Sequence, residues 1–164
     1  MGGPDNAGLR QTDGSPPQFG AREPGAAYPQ RRGAHGIAMN KHGQIALARI
    51  DRNGAPPEYD LPGGGVDPGE DDEAAIVREF LEETGLPVRP GRFVVRARQY
   101  WRTDKSETRN ADFMIFEVFV SGPQSEPSEP DHTLVWKSPE DAIACVRHEA
   151  HAFALRIFIG ERGA

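Results

Sequence analysis

Residues 64–86 read GGVDPGEDDEAAIVREFLEETGL, and both fold and chemistry turn on this stretch. From Asp71 to Thr84 no glycine or proline interrupts the chain. Acids fill the first turn, where the helix macrodipole favours them, and Gly85 stands at the C′ position with Pro87 beyond. The pattern predicts a helix over 71–84. Its carboxylates Glu79, Glu82 and Glu83 are spaced i, i+3, i+4, which at about 100° per residue gathers them in a sector of about 100°. Ala74, Val77, Phe80, Leu81 and Thr84 are expected on the opposite, buried side. Three like charges on one face repel one another unless something relieves them.

A glutamate-rich helix face is ordinarily a solvated one. This face, however, lacks the Lys or Arg four residues on that an exposed helix usually mixes in. Gly63-Gly64-Gly65 lies directly upstream, and three consecutive glycines are costly unless backbone must come close to something. Carboxylates together with backbone carbonyls suit a hard divalent ion, Mg²⁺ or Mn²⁺, that keeps part of its water and bridges to phosphates. Between Asp67 and Glu83 lie eight acids against the single base Arg78, whereas the whole chain carries only −6. Charge is thus concentrated where a cation would be held.

The segment Gly64 to Leu86 resembles the Nudix box, G-x5-E-x7-R-E-U-x-E-E-x-G-U with U apolar. Gly64, Glu70, Arg78, Glu79, Glu82, Glu83 and Gly85 match its fixed positions, and Phe80 and Leu86 its apolar ones. The resemblance extends, through the order of strands, from about Arg31 to Ile159. It implies an α/β fold, a Nudix-type α/β/α sandwich with a mixed central β-sheet. It also implies Mg²⁺- or Mn²⁺-dependent hydrolysis of a nucleoside diphosphate linked to a group X. By position, Glu82 and Glu83 look like the main metal ligands and Glu79 like a further ligand or the base that orients water. Gly64 is expected to offer a carbonyl, Arg78 to hold the carboxylates, and Glu70 to make an outer or additional metal contact. One more acid is expected from a loop after the sheet: Glu129 first, Asp131 next, with Glu126 and the strand residue Glu117 as alternatives. The resemblance also admits a homodimer.

Outward from the box, GAHGIAM (33–39) and QIALARI (44–50) read as a β-hairpin closed by Asn40-Lys41-His42-Gly43. FVVRARQYW and ADFMIFEVFV are rich in β-branched and aromatic residues and read as strands of a central sheet. LVW reads as a short strand, and Ser138-Pro139 opens a helical region to about Ile159. Residues 1–30 hold 11 of the chain's 34 Gly and Pro and almost no aliphatic side chains. They are expected to be a flexible arm, with residues 31–164 forming the domain.

The chain of 164 residues suits one domain. A net charge of −6 argues against a general nucleic-acid binder. No apolar run approaches membrane-spanning length, so no membrane partner is expected. The single Cys145 excludes an internal disulfide and fits a reducing cytoplasm. It reads as a small core residue, and His148 and His151 read as helix surface or edge of core. Arg49, Arg52, Arg96, Arg98, Arg102, Lys105 and Arg109 are candidates to hold phosphates. Tyr100, Trp101, Phe113, Phe116 and Trp136 are candidates to wall the pocket or stack a base. The leading substrate class is a nucleoside triphosphate or related nucleotide. ADP-ribose, dinucleoside polyphosphates, diphosphoinositol phosphates and a non-catalytic nucleotide-binding module are the alternatives.

Overall fold

The computed structural model describes residues 14–163. In chain order the elements are β1 (Gln18–Phe19), β2 (Gln30–Ala38), β3 (Ile45–Ile50), β4 (Glu58–Asp60), β5 (Gly63–Gly65), α1 (Asp72–Thr84), β6 (Val88–Arg102), β7 (Thr108–Val120), β8 (His132–Lys137), α2 (Pro139–Cys145) and α3 (Glu149–Arg162). One sheet is ordered β1-β6-β7-β2-β5 and a smaller one β4-β3-β8. The larger sheet is mixed: β2 runs parallel to β7 and antiparallel to β5, and β6 is antiparallel to β7.

Strand alternation builds two cores from these sheets. Ala34 and Ala38 of β2 and Ala46 of β3 pack with Ala75, Ile76 and Phe80 of α1. Ile37, Leu47, Phe113 and Ile115 pack with Ala154, Leu155 and Phe158 of α3. The expected sandwich, helices on both faces of a mixed sheet, is what the chain forms. Phe80 is wholly buried, and a Cβ on Gly36 would stand 2.6 Å from its ring. Truncating such a side chain to Ala costs about 3–5 kcal/mol.

The expected hairpin is not formed. β2 pairs along nine residues with β7 and on its other edge with β5, so it has no edge left for β3. β3 instead pairs with β4 and β8. A single bridge, Met39 to Ile45, remains of the hairpin, beside a turn in which Asn40 Oδ1 accepts from the backbone of His42 and Gln44.

The C-terminal helical region is two helices rather than one. Ser138 caps α2 by accepting from the Asp141 N–H. After Cys145 the chain extends so that Val146 bridges to Tyr59 and the Arg147 N–H donates to the Tyr59 carbonyl. That pairing interrupts the helix and delivers Arg147 and His148 to the interior.

The expected arm also differs in its second half, and residues 1–13 lie outside the described residues. β1 adds a parallel strand to β6, and Phe19 packs on Phe153 with ring centroids 5.4 Å apart. The Gln18 amide donates to Asn110 at 2.9 Å. One aromatic side chain and one amide, enough to seat a two-residue strand, are scarcely visible in a Gly/Pro-rich composition.

Candidate active site

α1 begins at Asp71, whose side chain accepts from the Ala74 N–H, and ends at Gly85 in the left-handed conformation. Its burial differs from the expected two-sided pattern. Val77, Leu81 and Ala74 are exposed, whereas Ala75, Ile76, Phe80, Glu83 and Thr84 are buried. At about 100° per residue Glu83 falls in the middle of the buried arc and Glu79 inside it, with Glu82 at the rim. The carboxylate face and the core face are therefore largely the same face. Glu83 is only 6% exposed, not a side chain standing in water as sequence reasoning expects.

What makes this tolerable is the backbone opposite. The Gly63 N–H donates to Glu83 Oε1 at 3.1 Å, and a Cβ on Gly64 would meet the Glu79 carboxyl carbon at 2.6 Å. The glycine run is the wall against which the two acids lie. Burial raises the pKa of Glu79, with Glu82 and Glu129 adding to it, and raises that of Glu83 well above its ordinary value, with Glu79 adding to it.

Arg78 organises the outer edge. Its Nε and Nη2 donate to both oxygens of Glu70 at 2.9 and 3.0 Å, and Nη1 donates to Glu79 at 2.8 Å and Glu82 at 3.4 Å. Nη2 also reaches the Gly65 carbonyl. The guanidinium holds Glu70 down at a pKa of about 2. With both oxygens engaged by Arg78, Glu70 stands beside the cleft rather than in it, and so does Glu82.

The cleft has a volume of about 410 Å³, with Glu79, Glu83 and the glycine run at one end. Glu129 lines it too, brought there because its N–H donates to the Glu82 carbonyl. Asp131 touches the next residue, His132, which also lines the cleft. Glu126 is exposed and outside the lining. Glu117 pairs with Arg162 at 3.0 Å and Arg92 at 3.8 Å, which directs it away from the site.

Of the arginine candidates, Arg52 and Arg109 line the cleft. Arg49 is bound to Asp51, Arg96 to Asp112 and Arg102 to Glu23. Arg31, Arg32 and Arg147 join the lining without having been singled out in the sequence. Arg31, Gly33 and His35 alternate along β2 and lie beside Arg109, Ala111 and Phe113 of β7, so one face of the sheet forms the floor. Trp101 and Phe113 are in the cleft; Tyr100 packs on Tyr28, Phe116 on Phe93, and Trp136 on the α1 core.

Arg147 lies over the Trp101 ring at 5.0 Å and donates to Asp60 at 2.9 and 2.7 Å. Burial opposes its charge, but the Asp60 carboxylate more than restores it, and its pKa is raised. His148 and His151 are interior rather than surface groups, 5% and 0% exposed, and cluster with His35 and Phe113. Their spacing resembles a helix surface only if α3 is read as continuous with α2. Cys145 is half-buried against the core, and burial raises its thiol pKa.

The donor set fits a hard divalent ion. Two desolvated carboxylates meet in a cleft with Arg78 on one side only, the arrangement that a bound cation relieves.

The profile of the NUDIX domain matches residues 29–158. Over 54 residues the chain is 54% identical to a Bacillus subtilis protein provisionally named 8-oxo-dGTP diphosphatase, covering 33% of this chain and 34% of that one. Over 60 residues it is 42% identical to the RNA pyrophosphohydrolase of Rhodospirillum rubrum, covering 37% and 35%. The matches span about a third of the length of these relatives. The MutT protein of Methanosarcina mazei superposes with a TM-score of 0.66 at 22% identity, over 84% of this chain and 98% of that one. That likeness is one of fold.

Proposed function

The chain belongs to the NUDIX family, and from that premise we propose that it is a divalent-metal-dependent pyrophosphohydrolase. The substrate is a nucleoside diphosphate linked to a further group, with nucleoside triphosphates and related nucleotides the leading class. The observation that carries this is the convergence of Glu79 and Glu83 on one end of a cleft whose other walls hold Arg31, Arg52, Arg109 and Trp101. Acids for a cation, arginines for phosphate oxygens and an aromatic ring for a base are the three things such a substrate needs.

A bound Mg²⁺ or Mn²⁺ neutralises phosphate oxygens and lowers the pKa of a coordinated water. Glu83, Glu79 and the Gly64 carbonyl are the residues to hold it, with Glu82 and Glu70 supporting from the edge through Arg78. Glu79, whose burial raises its basicity, is suited to accept the proton of the attacking water. Glu129, exposed on the loop opposite, is the second candidate for that proton. Arg109 and Arg52 orient the phosphate chain. In this reading the enzyme is cytoplasmic and its partner a small nucleotide.

A second reading has a specific observation behind it. Arg31 and Arg109 both line the cleft from adjacent strands, Arg31 pairing with Ala111 two residues beyond Arg109, a start for a basic path such as the triphosphorylated 5′ end of an RNA would follow. The relative from Rhodospirillum rubrum carries that activity in its name.

The test is release of phosphate or pyrophosphate with Mg²⁺ and with Mn²⁺. The panel comprises nucleoside triphosphates, oxidised dGTP, ADP-ribose, dinucleoside polyphosphates, diphosphoinositol phosphates and a 5′-triphosphorylated oligonucleotide. Turnover that requires the metal and disappears in Glu83→Gln supports the reading. Nucleotide binding without turnover of any of them would assign the chain to the non-catalytic modules instead.

A further inference from the structure

His132 lies outside the box, yet its ring stands between two carboxylates. Nδ1 is 2.7 Å from Asp131 Oδ1, and Nε2 is 3.5 Å from Glu83 Oε2. A carboxylate can only accept, so the short contact places the ring hydrogen on Nδ1. Nε2 is then the atom that faces the buried Glu83 carboxyl group. The gap between Nε2 and Glu83 Oε2 is one that a shared ion can fill.

The separation suits one. Two ligands bonded at about 2.1 Å to the same ion lie about 3 to 3.5 Å apart. Glu129, Asp131 and His132 also offer donor atoms that all lie within 4.8 Å of one another. The backbone holds the imidazole in place: the His132 N–H donates to the Glu129 carbonyl, the Asp51 N–H donates to the Asp131 carbonyl, and His132 pairs with Ile50 at the start of β8. A carboxylate that takes the far N–H of an imidazole is the usual outer partner of a metal-bound histidine, fixing its tautomer and angle.

We infer that His132 is a nitrogen donor to the divalent ion, sharing it with Glu83 and Glu129, and that Asp131 positions the ring. The inference rests on the metal-dependent reading above and deepens it. The box supplies only oxygen donors, which suit Mg²⁺. An imidazole shifts the set toward ions that accept nitrogen, so Mn²⁺ and especially Co²⁺ gain relative to Mg²⁺. The same contacts would otherwise describe an imidazolium ion paired with Glu83, and spectroscopy separates the two.

The experiment uses the full chain and Mn²⁺ alone. Loss of the free-ion electron paramagnetic resonance signal counts bound metal, and electron spin-echo modulation reports nitrogen bonded to it. The expected result is bound Mn²⁺ with a ¹⁴N coupling that vanishes in His132→Gln and in His132→Asn. In calorimetric titrations these variants should lose at least about tenfold in Co²⁺ affinity while Mg²⁺ affinity changes less. Bound Mn²⁺ without nitrogen coupling in the unaltered protein would overturn the inference, as would coupling that survives in both variants; the hydrolase reading would stand in either case. No bound Mn²⁺ at all would instead remove the metal-dependent reading and this inference with it.

Discussion

Gly64 and Glu79 are in contact across the cleft wall: a Cβ on the glycine would stand 2.6 Å from the carboxyl carbon and from Oε1. The group that would have to yield is the end of a flexible side chain, not backbone. Gly64→Ala is therefore expected to fold with a stability loss under about 1 kcal/mol, while Glu79 is pushed from its place. An error of this size in a positioned group lowers turnover by about 10²-fold. Thermal melts alongside turnover check the separation. Equal losses in both would show that the glycine serves the fold instead.

Glu83→Gln should have opposite effects on stability and activity. Burial raises the Glu83 pKa, so its ionised form is what the folded protein tolerates least. A raised carboxylate pKa means that stability falls as pH climbs from the unfolded value near 4.5 through the folded value. In metal-free protein at pH 7 to 8 the neutral glutamine is expected to raise Tm, while turnover falls by several orders of magnitude. Added Mn²⁺ should stabilise the unaltered protein and much less the variant. A lower Tm for metal-free Glu83→Gln would mean that its charge is already compensated.

How far the sequence reached follows from how local each feature is. The extent of α1 and its Gly85 cap rest on neighbours a few residues apart, and a linear pattern displays them, although Asp71, expected as the first helical residue, is the N-cap. The role of Arg78 comes from the resemblance to the Nudix box. The inward turn of Glu83 is displayed by neither, because the Gly63 N–H that receives it comes from β5, twenty residues earlier. His132 escaped for a similar reason: its partners Asp131 and Glu83 are adjacent in one case and distant in the other, and only the fold brings them together. The hairpin expected at 33–50 failed because strand choice depends on what else competes for an edge. β7, more than seventy residues away, takes the edge of β2.

The N-terminal stretch is expected to matter for stability. Phe19 packs into the α3 core and β1 extends the sheet at β6. Removing residues 1–30 should lower Tm by several degrees, and Phe19→Ala alone should cost about 1–3 kcal/mol for a partly buried ring. Urea unfolding of the two variants checks this. Midpoints within error of the full chain would mean that β1 adds nothing to the fold.

Three buried histidines should make the protein sensitive to mild acid. Burial lowers His35 to a pKa of about 3 and His148 to about 4, and drives His151 well below its ordinary 6.5. A folded pKa below the unfolded one gives stability that is complete above about 6.5 and lost as pH falls toward the folded values. Between pH 6.5 and 5 each such group removes up to about 1.4 kcal/mol per pH unit. Glu83 titrates with the opposite sign in this window, so the measurement is best made on metal-free Glu83→Gln. Urea midpoints at pH 7, 6 and 5 should fall progressively, with a shallower slope when His148→Phe removes one member. His148 is the variant of choice because His151 Nδ1 accepts from the Leu61 N–H, and losing that bond would disturb the backbone as well as the charge. An unchanged slope in His148→Phe would show that this histidine does not protonate on unfolding in the way its burial demands.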